Sequence, residues 1–188
     1  MLEKFNYQNA LILGGTGTLG KCLVKQLNTH FPALKITIFS RDEHKQALMK
    51  REYPMCKYVL GDIRDEVALF NVMTKKDLIF HVAALKHVDI LESNIRESVR
   101  TNVIATMLAA DTAHRLGVKN FIFSSTDKAV DPINVYGACK FLSEKYLFDL
   151  NRHQLGTKYA VYRWGNILGS QGSVIPTFIN TLKTKRVV

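Results

Sequence analysis

Six short apolar segments, separated by longer amphipathic stretches, dominate the sequence. The apolar segments are ALIL (10–13), KITIFS (35–40), KYVL (57–60), DLIFHV (77–82), NFIFSS (120–125) and YAVYRW (159–164). Their hydrophobicity is continuous rather than alternating, which is typical of strands buried on both faces of a parallel sheet. Such strands are buried only when helices cover both faces of the sheet.

Helical periodicity occupies the intervals between these strands. It covers residues 19–30, 42–51, 65–73, 95–116 and 135–155. Gly117 is placed as a C-terminal cap of the fourth helix and Asn134 as an N-terminal cap of the fifth. The 188 residues therefore predict one α/β domain with a doubly wound parallel sheet of the Rossmann type.

Composition limits the classes of protein and partner. The sequence has no apolar run of about 18 residues and no signal-peptide-like start, so we expect a cytoplasmic protein without a membrane span. Three scattered cysteines and six histidines lack metal-site spacing, so we expect reduced thiols and no metal. The net charge of +10 favours acidic partners. The basic residues are scattered along the sequence, however, which disfavours nucleic acid as the partner.

A glycine-rich turn, GGTGTLG, follows the first predicted strand and opens the first helix. It places glycines at 14, 15, 17 and 20. Glycine allows a tight turn and a close approach of the backbone to a pyrophosphate, whose charge the helix N-terminus attracts. Because the motif lies between a strand and a helix, it predicts a dinucleotide site rather than a turn that binds nothing.

The end of the second strand indicates which dinucleotide binds. Where a carboxylate would hold the 2′-hydroxyl of NAD, the sequence has Ser40 and Arg41, followed by Asp42. An arginine pairs well with a 2′-phosphate, so the prediction is NADP, with NAD as the alternative because of Asp42. In LGDIRD, after the third strand, Asp62 and Ile63 are expected to border the adenine, or this segment caps the next helix near residue 65.

The segment SSTDKAVDPINVYGACK, residues 124–140, concentrates reactive side chains. Tyr136 and Lys140 are four residues apart at the start of a helix, so they share one face. An ammonium beside a phenol lowers the phenol's pKa from about 10. Such a tyrosine removes a hydroxyl proton while hydride leaves the same carbon for a nicotinamide, so the pair predicts an oxidation.

Together these motifs resemble the extended short-chain dehydrogenase/reductases that act on nucleotide sugars. Within that group, STDKAVDPINVYGACK is similar to the inverting UDP-N-acetylglucosamine 4,6-dehydratases of pseudaminic acid and capsule biosynthesis. Other matching segments are GGTGTLGK, FSRDEHKQ, GDIRD, HVAALKHVDILE and RWGNILGSQGSVIP. The resemblance covers all 188 residues, and the Asp127–Lys128 pair is its most specific element.

The resemblance implies a set of site residues for this sequence. The implied catalytic residues are Asp127, Lys128, Tyr136 and Lys140. The implied cofactor contacts are Gly14, Gly15, Thr16, Gly17, Thr18, Leu19, Gly20, Ser40, Arg41, Asp62, Ile63, Ala83, Ala84, Lys86, Asn102, Tyr136 and Lys140. The implied substrate contacts are Lys86, His87, Ser125, Thr126, Asn166 and Ser173, with surface exposure as the alternative for His87.

The resemblance also implies a reaction. Tyr136, supported by Lys140, starts oxidation at C4 of the sugar. Elimination then needs a base for the C5 proton and an acid for the departing C6 hydroxyl, roles that Lys128 and Asp127 take. Hydride returns from NADPH to C6 and C5 is reprotonated, which gives a UDP-4-keto-6-deoxy sugar with inverted C5.

Some features depart from the family pattern. Leu13, Cys139 and Trp164 stand where family members often have other residues, but none removes an implied catalytic group. Residues 165–188 match the start of a substrate-binding region, and we expect the rest of that domain to be missing. We also expect a homo-oligomer that binds a UDP-sugar.

Two other functions remain open. An epimerase or reductase of the same superfamily needs only Tyr136 and Lys140. A catalytically silent NADP-binding module that acts through partner contacts needs neither. The intact Asp127 and Lys128, together with that pair, favour descent from an active enzyme.

Overall fold

Six parallel strands form a single sheet in the computed structural model, which describes residues 6–153, 156–167, 178–179 and 181–182. The strands are β1 (Asn9–Leu13), β2 (Lys35–Ser40), β3 (Lys57–Leu60), β4 (Leu78–His81), β5 (Asn120–Thr126) and β6 (Lys158–Trp164). Each strand lies within one residue of its predicted bounds at either end. Their order across the sheet is β3-β2-β1-β4-β5-β6, which confirms the doubly wound prediction.

The helices cover the sheet as the periodicity predicts. They are α1 (Thr18–His30), α2 (Glu43–Glu52), α3 (Glu66–Met73), α4 (Val88–Glu92), α5 (Ile95–Ser98), α6 (Ala105–Arg115) and α7 (Val135–His153). The sequence did not predict the five-residue α4. The single helix predicted over 95–116 is interrupted by a π-helical stretch, Val99–Ile104.

The predicted helix ends have the expected local chemistry. The Asn134 side chain accepts a hydrogen bond from the Gly137 amide at 2.8 Å, and Asp65 caps α3 through the Ala68 amide at 3.0 Å. Gly117 has a φ of +66°, the left-handed conformation that ends a helix at low cost when the residue is glycine. The sequence therefore determines these helix bounds through local hydrogen bonds.

Two apolar cores lie on opposite faces of the sheet. On one face, Leu11 and Phe121 pack among residues of α3, α6 and α7, such as Leu147. On the other face, Ile12 packs with Val24 of α1 among a second group of apolar residues. Because the central strand β1 is buried on both faces, its hydrophobicity is continuous.

The topology determines where a ligand would lie. The chain runs outward from β1 to β2 and β3, then returns to the other side of β1 with β4. In open α/β sheets, ligands bind beyond the carboxyl ends of the strands where the order reverses, here between β1 and β4. Most of the predicted site residues that the structure describes line cavities at this edge.

Candidate active site

Two adjoining cavities open along the carboxyl edge of the sheet. The first, the Arg41 cavity, has a volume of about 570 Å³ and the second, the Tyr136 cavity, about 650 Å³. The Arg41 cavity is lined by Gly14, Thr16, Gly17, Phe39, Ser40, Arg41, Asp42, Lys45, Gly61, Ile63, Val82, Ala83, Ala84 and Thr101. Because both cavities share Gly14, Gly17, Val82 and Ala84, they form one continuous groove.

The Tyr136 cavity contains most of the predicted catalytic and substrate residues. Its lining includes Thr18, Leu19, Gly20, Lys86, His87, Ser125, Thr126, Lys128, Tyr136, Lys140 and Asn166. Among predicted residues that the structure describes, Gly15, Asp62, Asn102 and Asp127 line neither cavity. Ser173 lies outside the described residues.

The first turn is built as a dinucleotide cradle requires. Gly14 has a φ of +83°, and a Cβ at this position would lie 2.6 Å from the Ala83 backbone. Its amide donates to the Phe39 carbonyl at 2.8 Å, which ties the turn to β2. A Cβ on Gly17 would meet only the Gly14 carbonyl, at 3.4 Å, so the floor of the groove is bare backbone beside the N-terminus of α1. This arrangement fits a pyrophosphate.

Charged side chains surround the far end of the Arg41 cavity. The Asp42 carboxylate caps α2 by accepting from the Lys45 amide at 2.9 Å, and it pairs with the Lys45 ammonium at 3.0 Å. These contacts hold the pKa of Asp42 below its ordinary value. The Arg41 guanidinium lies 3.6 Å from Asp62 and remains half exposed. The carboxylate that would favour NAD is therefore engaged within α2.

Thr101 is a cavity residue that sequence reasoning missed. It belongs to the π-helical stretch and is only 4% exposed. Its hydroxyl has no hydrogen-bond partner among the described residues, although it lines the Arg41 cavity. An unpartnered buried hydroxyl on a cavity wall fits a polar ligand atom. No residue-type signal distinguishes Thr101 in the sequence. Lys45, also missed, lies in the first turn of α2, four residues after the predicted Arg41.

Tyr136 and Lys140 lie where the sequence predicts, but their protonation differs from the prediction. Burial raises the pKa of Tyr136, with the Thr126 hydroxyl opposing that effect, so the expected lowering by Lys140 is wrong for the chain alone. The Lys140 ammonium instead donates to the Ser124 carbonyl at 2.8 Å and lies 4.3 Å above the Phe123 ring centre. Burial lowers the pKa of Lys140 to about 7.

Asp127 and Lys128 form an ion pair in a short 3₁₀ turn after β5. The Lys128 ammonium lies 3.1 Å from the Asp127 carboxylate and 3.4 Å from the Asn166 side-chain oxygen. The Thr126 hydroxyl donates to the same carboxylate at 2.9 Å. Hydrogen bonds from Lys128, then from Thr126, hold the pKa of Asp127 below its ordinary value. The Asp127 carboxyl is therefore ionised at neutral pH.

The turn that carries this ion pair packs directly on the first turn of α7. A Cβ on Gly137 would collide with the Lys128 carbonyl oxygen. Only glycine permits this approach of the two backbones. At the same helix end, Glu92 of α4 accepts from the Val135 amide at 2.7 Å. These contacts hold Lys128 and Tyr136 along one cavity.

Ser125, which the sequence predicts to contact the substrate, also has a structural contact. Its hydroxyl donates to the buried carboxylate of Glu144 in α7, which also binds Arg163 of β6. The Arg163–Glu144 contact measures 2.6 Å, and the Glu144 side chain is 2% exposed. Ser125 therefore joins β5, β6 and α7 while it lines the Tyr136 cavity.

Asn102 shapes the loop after β4. Its side-chain oxygen accepts from the Leu85 amide and its nitrogen donates to the Leu85 carbonyl, both at 2.9 Å. The sequence predicts a cofactor contact for Asn102, whereas both polar atoms of its amide are engaged by Leu85. This contact fixes the loop that carries the exposed Lys86 and His87 to the Tyr136 cavity.

A doubly wound sheet with a glycine cradle at its first turn, and a Tyr-x-x-x-Lys pair facing the same groove, defines the short-chain dehydrogenase/reductase class. The residue-level match is broader than these motifs. A family model described as "Polysaccharide biosynthesis protein" matches residues 10–188, so the chain belongs to that family.

Curated relatives carry two kinds of name. The UDP-N-acetylglucosamine 4,6-dehydratase (inverting) of Campylobacter jejuni is 42% identical over 178 residues, which are 93% of this chain and 53% of the relative. A UDP-glucose 4-epimerase of Rickettsia bellii is 39% identical over 185 residues, 94% of this chain and 54% of the relative. The chain spans about half the length of these relatives.

Solved structures agree with the fold. A structure of Pen from Bacillus thuringiensis superposes with a TM-score of 0.93 at 36% identity, covering 100% of this chain and 58% of the other. The dTDP-glucose 4,6-dehydratase DesIV of Streptomyces venezuelae, with NAD bound, gives a TM-score of 0.84 at 25% identity, covering 94% and 62%.

The described part of the chain lacks two kinds of feature. No helix there is long and apolar enough to span a membrane. No group of three or more metal-ligating side chains occurs there either.

Proposed function

We propose that this chain is the cofactor-binding part of a UDP-N-acetylglucosamine 4,6-dehydratase that inverts C5. The observation that carries the proposal is the Asp127–Lys128 ion pair, in a turn that packs on the first turn of α7, where Tyr136 lies. An oxidation alone needs only the tyrosine and its lysine, whereas elimination of water needs an additional base and acid. The 42% identity to an enzyme of that name agrees with this assignment.

NADP is the proposed cofactor, and when bound it supplies the acceptor and donor of a transient hydride. The glycine turn would hold its pyrophosphate. Arg41 and Lys45, both on the wall of the Arg41 cavity, would pair with its 2′-phosphate. Asp42 does not oppose this choice, because Lys45 and the end of α2 engage its carboxylate.

Tyr136 is the proposed base for the C4 hydroxyl. Its raised pKa means that the phenol is protonated in the chain alone. Lys140 lies one helical turn further on, and its pKa of about 7 keeps a fraction of it charged at neutral pH. A positively charged nicotinamide beside the phenol would favour the phenolate, so the base is expected to form once the groove is loaded.

Lys128 is the proposed base at C5 and Asp127 the proposed acid at the C6 hydroxyl. In the ion pair the proton lies on Lys128 and not on Asp127. A base must be unprotonated and an acid must be protonated, so the proton has to move before elimination. Moving that proton across the 3.1 Å contact gives a neutral amine and a carboxylic acid, the forms that elimination requires. Enclosure by a bound sugar favours the neutral pair, because desolvation penalises both charges.

An epimerase is the second candidate, because the Rickettsia bellii relative at 39% identity carries that name. This reaction would use Tyr136 and Lys140 without Lys128. The products separate the two candidates, since epimerisation conserves mass and dehydration removes one water.

Mass spectrometry of the complete gene product, incubated with NADP and UDP-N-acetylglucosamine, tests the proposal. We expect the loss of one water from the sugar nucleotide. Lys128→Ala should abolish that loss, whereas Lys145→Ala, an exposed lysine on α7, should not. Full dehydration by Lys128→Ala would exclude Lys128 as the base, and an unchanged mass with an altered sugar would support the epimerase.

A homo-oligomer is also part of the proposal. Large apolar side chains are exposed on the π-helical stretch and on α7, among them Ile104, Leu142 and Phe148. Light scattering of the purified protein measures the oligomeric state. A monomer at assay concentrations would contradict the proposed homo-oligomer.

A further inference from the structure

A line of alternating charges runs from the Arg41 cavity to helix α5. Asp62, in the loop after β3, lies between Arg41 and Arg64. Arg64 continues the line to Glu97 at 2.9 Å. The proposed function uses Arg41 alone from this line, and Arg64 and Glu97 have no assigned role.

The Asp62 carboxylate is held mainly by Arg64. Its two oxygens accept from the Arg64 backbone amide at 2.9 Å, from Nε at 3.0 and 3.1 Å, and from a terminal nitrogen at 2.6 Å. Arg41 contributes a single contact of 3.6 Å. Charge-assisted, bidentate contacts of the Arg64 kind are the strong ones, so Arg64 is the principal counterion of Asp62.

Arg64 is itself fixed in place. Glu97 binds the guanidinium nitrogen that Asp62 leaves unused. The Arg64 side chain is 30% exposed and that of Asp62 27%, so both are partly shielded from solvent. Burial acts to raise the pKa of Asp62, but the hydrogen bonds from Arg64 outweigh it, and the net pKa is lowered. Asp62 thus carries a full negative charge that Arg64 balances.

Arg41 is the less committed of the two arginines. Its side chain is 54% exposed and lines the cavity. Without Arg64, the nearest cation to Asp62 would be Arg41. The carboxylate would then draw Arg41 into a closer ion pair than the present 3.6 Å contact, and its own charge would repel a dianionic phosphate at the same place.

We infer that Arg64 is a specificity-determining residue for the dinucleotide, because it neutralises Asp62 and so leaves Arg41 available to a 2′-phosphate. This inference rests on the proposed use of NADP. It concerns the ratio of affinities for the phosphorylated and unphosphorylated cofactor. A nucleotide that lacks the 2′-phosphate does not use Arg41 in this way, so Arg64 should matter little for its binding.

Fluorescence titration of the full chain with NADPH and with NADH measures both affinities without any need for turnover. For Arg64→Gln we expect the Kd for NADPH to rise on the order of tenfold and the Kd for NADH to change less than about twofold. Glu97→Gln is the matched control. It removes the Glu97 contact of Arg64 but leaves the hydrogen bonds between Arg64 and Asp62. The ratio of the NADPH and NADH affinities should therefore be unchanged.

A rescue separates charge from structure. In Asp62→Asn/Arg64→Gln the uncompensated carboxylate is gone, so the NADPH/NADH preference should return to that of the wild type. Asp62→Asn alone gives a second measurement that does not depend on whether Arg64→Gln folds. Its preference for NADPH should equal or exceed that of the wild type.

Each outcome decides between distinct ideas. The inference would be overturned if Arg64→Gln lost NADPH and NADH affinity equally, or lost neither. It would also be overturned if the double variant did not regain the wild-type preference, or if Asp62→Asn preferred NADPH less than the wild type does. A wild type that binds NADH as tightly as NADPH would instead contradict the proposed cofactor. That result comes from the unmodified chain, and the change of ratio in the variants still decides the role of Arg64.

Discussion

The buried carboxylate of Glu144 gives the sharpest test of how the catalytic helix is held. Arg163→Met removes the guanidinium that binds it at 2.6 and 2.9 Å but keeps much of the apolar stem. Glu144 would then keep the Ser125 hydroxyl as its hydrogen-bond donor. A carboxylate that is 2% exposed would lose the cation that compensates it.

The magnitude follows from the burial of the two partners. Removing one partner of a fully buried ion pair costs about 3–5 kcal/mol. The Arg163 side chain is 42% exposed, so water can reach the vacated position and reduce the cost. We therefore expect the free energy of unfolding to fall by about 2–3 kcal/mol.

Urea unfolding followed by circular dichroism measures this loss. The control is Arg115→Met, because Arg115 pairs with Glu66 at 3.2 Å on the surface, with both side chains more than half exposed. That exposed pair should contribute at most about 1 kcal/mol. The double variant Glu144→Gln/Arg163→Met removes the buried charge as well and should recover at least about 1 kcal/mol relative to Arg163→Met.

Two results would refute the reasoning. The first is a loss in Arg163→Met as small as that in Arg115→Met, which would mean that water or another group satisfies Glu144. The second is a double variant whose loss equals the sum of the losses of Arg163→Met and of Glu144→Gln, each measured alone. Additivity would mean that the two side chains act independently in spite of their contact.

Three further predictions concern Lys140, Gly137 and Thr101. Burial lowers the pKa of Lys140 from 10.5 to about 7. Between these two pH values the unfolded chain binds one proton more than the folded chain, so the free energy of unfolding rises with pH, by up to about 1.4 kcal/mol per pH unit. Urea titrations at pH 7 and 9 should show the rise in the wild type and not in Lys140→Met. Gly137→Ala forces a methyl group onto the Lys128 carbonyl and should lower the free energy of unfolding by about 1–3 kcal/mol; an unchanged melting curve would contradict that close approach. Thr101→Val removes a buried hydroxyl that has no partner among the described residues, so stability should hold or improve while NADPH affinity falls about fivefold by titration. Equal affinity would show that the hydroxyl does not contact the cofactor.

The fold was predictable because its signals are local. Continuous apolar runs marked each strand, and the Asn134 and Gly117 caps depend on residues a few positions away in the chain. The glycine turn was predictable for the same reason, since Gly14 needs a positive φ beside a strand end. Each of these features can be derived from the chemistry of a short segment.

Long-range contacts of the site could not be predicted in this way. The pKa of Lys140 depends on burial beneath β5, and the amide of Asn102 is engaged by Leu85, 17 residues earlier in the chain. The ion pair of Arg64 with Glu97 spans 33 residues. Sequence periodicity gives the elements that carry these residues but not which side chains meet when the elements pack.

The widened turn at Val99–Ile104 affects how this chain should be compared with others. A π-helical hydrogen bond spans five residues instead of four, so a helix accommodates it by an inserted residue rather than by a substitution. Against a chain whose helix lacks this stretch, an alignment without gaps would be displaced by one position on one side of Val99–Ile104. One position is about 100° around a helix axis, enough to exchange a groove-facing residue for its neighbour.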